Sequence, residues 1–314
     1  MLERELEPAP PETFALGERA REPEIQAPQL SPNAASGDVA RAAFARSAES
    51  IVRYDAKLRL QPDETTIHQT RVAVRRLRSD LRAFLPLLEQ TWALDLRARL
   101  SWLQDGLSAA RDADVLIAGL KRQSRRLPDA DRLRLDTLLV PFAAARTAAC
   151  ERLHEMLHEP AYARLLQDIV DAANHPPLTA LASEPACDVV PSIIDGAWST
   201  LRKRVRKSSR PPSDRELHGI RIAAKRVRYA AEAVEPVAGR PVRSLARRVA
   251  AMQTTLGEQH DAVVACRALR ELTGEHAFLA GELAVLEVLA GQKARESWRT
   301  AWRKARRAHR RFFR

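Results

Sequence analysis

From residue 37 onward the apolar positions recur three and four apart, the spacing that lays them along one face of an α-helix. Val39, Ala42, Phe44, Ile51, Tyr54 and Leu58 predict a helix over 37–60. Ile67, Val74, Leu77, Leu81, Phe84 and Leu85 predict a second over 63–88. A third is expected over 93–126 and a fourth over 129–158, continued by a shorter piece at 162–174 after Pro160. Residues 175–188, HPPLTALASEPACD, then break the periodicity near the middle of the chain. Four further helices follow at 189–207, 213–234, 241–272 and 275–314, with 208–212 as a loop. Runs of alternating β-branched residues are missing, so the pattern reads as all-α: four helices, a linker, four helices.

The polar positions repeat as well. IHQTRVAVRRLRSDLRAFLP at 67–86 is written again at 217–236 as LHGIRIAAKRVRYAAEAVEP. Seven of twenty positions are identical: His68/His218, Arg71/Arg221, Ala73/Ala223, Arg76/Arg226, Arg78/Arg228, Ala83/Ala233 and Pro86/Pro236. Residues 107–115 correspond in the same way to 256–264, which pairs Asp112 with Asp261 and Arg111 with His260. An internal duplication is therefore expected, with repeats at 37–174 and 189–314 joined by 175–188.

Within each copy the basic residues are not scattered. His68, Arg71, Arg75, Arg78 and Arg82 fall within about 80° of helical arc and form one cationic stripe, roughly 100° from the apolar face. His218, Arg221, Lys225 and Arg228 repeat it, with Glu232 where Arg82 stands in the first copy. Arg76 and Arg226 flank the stripes. Asp63 offers an N-cap to the first helix and Ser213 with Glu216 a capping box to the second, so both histidines sit near the positive end of a helix dipole. Like charges aligned on one helix repel. A sequence that aligns them twice points to an anion that offsets the repulsion. Arginine suits that task, because its planar fork makes two parallel bonds to phosphate oxygens.

Net charge strengthens this reading. The chain carries +12, yet residues 1–36, with six prolines and seven Glu against three Arg, are net −4 and read as an extended, linker-like segment. Residues 37–314 thus carry +16, a balance that fits a polyanionic partner. Cys150, Cys187 and Cys266 are widely spaced and are expected as reduced core thiols. With no apolar run near eighteen residues and no basic-then-apolar leader pattern, a cytoplasmic protein without a membrane partner is expected. Trp298, Trp302, Ala305 and Phe312 are expected in the core of the last helix, with arginines on its other face.

The doubled His-x-x-Arg-x-x-x-Arg/Lys-Arg-x-Arg motif at His68–Arg78 and His218–Arg228, with Arg111-Asp-Ala-Asp-Val and His260-Asp-Ala-Val-Val, resembles the CHAD family of histidine-bearing α-helical domains over roughly residues 37–314. The resemblance implies two pseudo-symmetric four-helix bundles around a basic central cavity, and binding of inorganic polyphosphate, often at polyphosphate granules, without catalysis or a cofactor. Carried onto this sequence, the expected polyphosphate-binding residues are His68, Arg71, Arg75, Arg76, Arg78, Arg82, His218, Arg221, Lys225, Arg226 and Arg228. Arg111, Asp112, His260, Asp261 and Tyr229 are expected in support. Residues 2–7 and 11–16 faintly resemble the tail of a triphosphate tunnel domain, but thirty-six residues cannot form a tunnel.

Other readings stay open. A charge stripe is often only a solvated helix face, and His68 and His218 fit either buried, satisfied rings or phosphate-facing donors. As a nucleic-acid binder the chain would contact phosphates without sequence preference, since its stripes lack Asn or Gln for base edges. As a phosphohydrolase on polyphosphate it has His, Asp and Arg, but neither a nucleophile–base pair nor a P-loop. His154-Glu155-Met-Leu-His158 has the spacing of a zincin motif, but Pro160 ends its helix at once and no metal is expected there. Asp112 and Asp114 are read as ion-pair partners rather than cation ligands.

Overall fold

Apolar residues at helical spacing need a second apolar face to pack against, and a computed structural model shows how they find it. It describes residues 25–31 and 33–313. The expected acidic segment at 1–36 and the tunnel-domain likeness lie mostly outside these residues.

Most of the described residues are helical, in the order α1 Ser36–Leu60, α2 Glu64–Ala83, α3 Gln90–Ser124, the single turn α4 Asp129–Arg132, α5 Leu135–Leu157, α6 Pro160–Asn174, α7 Ala186–Lys207, α8 Asp214–Arg270 and α9 Ala277–Phe312. Asp63 caps α2 by accepting from the Thr66 amide at 2.7 Å, and Ser213 with Glu216 forms the capping box of α8. The helices expected at 213–234 and 241–272 are the two arms of α8. They meet at Gly239, whose φ of 67° breaks the helical path, a conformation that a residue with a Cβ adopts only at a steric cost. His218 lies against His260, and Arg221 approaches Gly257, so the arms fold back on one another about Gly239.

The seam between α6 and α7 is held at both ends. α7 begins at Ala186, and Ala35 and Leu88 pair with Pro185 and Leu178 as isolated antiparallel bridges. The Ser36 amide donates to Glu184 at 2.8 Å and the Glu89 amide to Pro177 at 2.9 Å, which ties the seam to the start of α1 and to the α2–α3 turn.

Both halves contribute to one large core. Phe44, Leu77 and Leu100 belong to the same buried cluster as Val227, Leu245 and Trp298. A smaller cluster joins Leu120 and Leu138 to Leu269 and Leu283. Each fully buried side chain of this size contributes roughly 1.5–3 kcal/mol relative to exposure. Trp298 and Ala305 are buried in this core and Trp302 and Phe312 pack on its edge. One cysteine departs from expectation: Cys266 is buried and Cys150 partly so, but Cys187, in the first turn of α7, is exposed. No described helix is long and apolar enough to cross a membrane.

Candidate functional site

α2 and α3 pack so that the basic stripe faces a row of short polar side chains on α3. Arg71 donates through Nε to Ser108 Oγ at 3.0 Å and through Nη2 to Asp112 at 3.2 Å. One turn or two along, Arg78 donates to Gln104 at 2.7 Å and to Ser101 at 3.0 Å. Ser101, Gln104, Ser108 and Asp112 step by three and four, so they share one helix face. Arg111 pairs with Glu64 at 2.6 Å at the head of α2. His68 lies beside it with a buried Nδ1 that has no partner among the described residues. Burial, then the charges of Arg111, Arg75 and Arg71, hold its pKa below the usual value, so the ring is neutral at pH 7.

The second half has the same frame with fewer partners. Arg221 holds the place of Arg71, but Gly257 stands where Ser108 would be, and the buried Arg221 Nε has no acceptor. Gln253 corresponds to Gln104, and its buried Oε1 is likewise unpartnered. His218 and His260 place their Nδ1 atoms 3.3 Å apart, one donating to the other according to tautomer. Burial and the Arg221 charge keep both rings neutral, His260 being lowered to about 4.

α2 and the first arm of α8 cross, and there the two stripes meet. Arg75 Nε donates to the Tyr229 hydroxyl at 2.8 Å, and Arg75 and Arg228 each lie 5.8 Å from the Tyr229 ring centroid. Arg76 donates to Glu232 at 2.7 Å, and Arg228 donates to its other oxygen at 2.6 Å. The residue that replaces a basic position in the second stripe is thus the carboxylate that joins the helices. Lys225 makes no hydrogen bond or ion pair among the described residues. Burial, followed by the charges of Arg221, Arg75 and Arg71, lowers its pKa to about 7. Four cationic side chains from the two copies therefore lie within electrostatic reach of one another, with Asp112 and Asp261 at their edge.

The remaining sequence candidates turn elsewhere. Arg82 is exposed, and with Arg226 it lines a cavity against α7, away from the histidines. Arg97 of α3, which donates to the Arg78 carbonyl at 3.3 Å, and Arg204 of α7 add their charges to the surroundings of Arg226. Sequence reasoning missed these two. Arg204 sits in the run RKRVRK at 202–207, a signal of a basic helix end, whereas Arg97 had no local signal.

No group of three or more described His, Cys, Asp or Glu residues is arranged to hold a metal ion. His158 Nδ1 bonds to the His154 carbonyl at 2.8 Å, closing the end of α5. Asp112 and Asp114 are ion-paired, with Arg71 and with Arg146.

Known proteins are similar to this chain in sequence or in fold. The uncharacterized protein Rv2226 of Mycobacterium tuberculosis (strain ATCC 25618 / H37Rv) is 30% identical over 282 residues, covering 84% of this chain and 52% of its own length. The uncharacterized protein MT2285 of Mycobacterium tuberculosis (strain CDC 1551 / Oshkosh) is 29% identical with the same coverage. The chain thus spans about half the length of these relatives. The solved structure of PptA from Streptomyces chartreusis has the same fold, with a TM-score of 0.69 at 21% identity, over 86% of this chain and all of that one. The crystal structure of the CHAD domain from the plant Ricinus communis matches with a TM-score of 0.65 and 29% identity, over 87% of this chain and 96% of that one. The CHAD domain model itself matches residues 42–270, which contain both stripes, and the chain belongs to the CHAD domain family.

Proposed function

We propose that this protein binds inorganic polyphosphate, and that the grip is the surface where Arg71 and Arg75 of α2 meet Arg221 and Lys225 of α8. Membership of the CHAD family supports the ligand class. The observation that carries the site is the convergence of these cations from both copies, with the buried Arg221 Nε left without an acceptor among the described residues and Lys225 partly desolvated beside it. Buried donors without partners lose hydrogen bonding on folding, and a phosphate oxygen supplies it. His68, Arg78, His218, Arg228, Arg76 and Tyr229 orient the grip or extend it along the helices. Arg111, Asp112, His260 and Asp261 set its edges.

In this reading the ligand is held by charge neutralisation and hydrogen bonding, with no covalent step, and the protein accumulates wherever polyphosphate is stored as granules. Residues 37–174 and 189–314 act as two linked half-sites, joined by 175–188 and arranged as pseudo-symmetric bundles. The deciding experiment follows binding and turnover together, with long-chain polyphosphate, Mg²⁺ or Mn²⁺, and the pure full chain. Saturable binding with no phosphate release is expected; chain shortening would assign the site to a hydrolase instead.

A further inference from the structure

Outside the α2–α8 grip lies a cavity of about 330 Å³ between the end of α2, the outer face of α7 and the first arm of α8. Its volume is at the low end of small-molecule sites, which run from about 300 to 1,000 Å³. Two side chains bring charge to it, Arg82 from the first copy and Arg226 from the second. Neither makes a hydrogen bond or ion pair among the described residues. Arg226 is partly desolvated there, and the neighbouring charges of Arg82, Arg204 and Arg97 act on it in the same direction.

The opposite wall is apolar, formed by Leu85 and Pro86 after α2 and by Ile193 and Ala197 of α7. Three hydroxyls also face the space, but their protons are already committed: Ser79 donates to the Arg75 carbonyl at 2.8 Å, Ser192 to Val189 at 2.7 Å and Thr200 to Gly196 at 3.2 Å. Donors for an anion must therefore come from the two guanidiniums. A bare polyphosphate chain has nothing to set against the apolar wall, whereas an ester of phosphate has both halves of the match.

We propose that this cavity is a second, separate binding site, for a small organic phosphate monoester whose dianionic head bridges Arg82 and Arg226 and whose compact apolar or aromatic body lies on Leu85, Pro86, Ile193 and Ala197. The site removes Arg82 and Arg226 from the polymer track and stands whether or not the polymer binds. Two guanidiniums from different copies meet a dianion without a neutralising carboxylate, which favours phosphate over a singly charged head.

The test uses the full chain and 1-naphthyl phosphate, by titration calorimetry, beside inorganic phosphate and long-chain polyphosphate. Gly196 lines the cavity in α7, and a Cβ built there meets nothing within 4 Å, so Gly196→Leu adds an apolar side chain at the cavity wall with no clash at its Cβ and with a better helix former. One saturable site is expected for 1-naphthyl phosphate, at least about tenfold tighter than inorganic phosphate, since covering the aromatic body adds apolar burial. Gly196→Leu and Arg226→Gln should each weaken it about tenfold or more. Gly196→Leu should leave polyphosphate affinity unchanged. Equal affinity for naphthyl and inorganic phosphate, or no effect of Gly196→Leu, overturns the proposal. So does a loss on Lys225→Ala as large as that on Arg226→Gln, which would put the probe in the α2–α8 grip.

Discussion

Arg75 Nε and the Tyr229 hydroxyl are 2.8 Å apart, and this bond joins the stripe helix of one copy to that of the other. The tyrosine is 3% exposed, so its hydroxyl is a fixed acceptor that aims the guanidinium rather than a group that adapts to it. Tyr229→Phe should cost about 1 kcal/mol of stability, the usual net worth of one such bond. It should weaken polyphosphate binding about threefold, because Arg75 then has to be ordered by the ligand. Arg75→Glu should weaken binding more than about tenfold by repelling the chain. Thermal unfolding and titration of the two variants check this; an unchanged affinity for both would remove Arg75 from the site.

Gly257 faces Arg221 where Ser108 faces Arg71, and the difference leaves Arg221 Nε without an acceptor. Gly257→Ser has room, as the atom nearest to a new Cβ is Arg221 Nε at 3.9 Å. It should raise stability by about 1 kcal/mol, from the new bond and from replacing a mid-helix glycine. The extra stabilisation conferred by polyphosphate should shrink, since one donor is already engaged. A melting temperature raised equally with and without ligand would mean that Arg221 Nε does not serve the anion.

Lys225 gives the site a pH dependence near neutrality. Its pKa is lowered to about 7, so the free protein holds a charged ammonium below pH 7 and a neutral amine above it. A bound polyanion requires the charged form, and inner phosphates stay ionised throughout. Affinity should therefore be nearly constant below pH 7 and fall by up to about tenfold for each unit above it. Lys225→Arg keeps its charge at every accessible pH, so its binding should be flat between pH 6 and 8. Parallel curves for the two proteins would contradict the assignment. His68 and His218 add charge only at lower pH, as their pKa values are already held below the ordinary histidine value.

The stripes, both caps and the correspondence of Asp112 with Asp261 could be read from the sequence, because helical periodicity fixes which residues share a face. What periodicity cannot fix is what lies opposite. Arg78 and Arg82 fall on the arc of His68, but α3 takes Arg78 into Gln104 and Ser101, while Arg82 leaves towards α7. Arg97 and Arg204 belong to helices read only as scaffold, and tertiary packing brings their charges to bear on Arg226. Cys187 looks apolar in its local context, yet the first turn of α7 presents it to solvent. Glu232, which on sequence shortens the second stripe, is in the structure the carboxylate shared by Arg76 and Arg228.

The meeting of the stripes changes how chain length should matter. A helix stripe from residue 68 to 82 runs about 21 Å, and stripes on separate outer faces would reward only chains long enough to span both. Because Arg71 and Arg75 act on Lys225 directly, a short chain already reaches cations of both copies. Disabling either copy, by Arg75→Glu or Lys225→Glu, should therefore weaken even triphosphate, by about tenfold or more. Two independent stripes predict otherwise: one charge reversal would leave half of the short-chain sites intact. Longer chains should bind more tightly until they outrun the arginines along α2 and α8, and then level off. The slope of log affinity against log salt should steepen over the same range of lengths, as each further neutralised phosphate releases a counterion. Titrating chains of defined length at two salt concentrations, beside duplex DNA of matched charge, reads all of this in one series. Short-chain binding that survives either reversal separates the half-sites, and tighter binding to the duplex transfers the surface to nucleic acid.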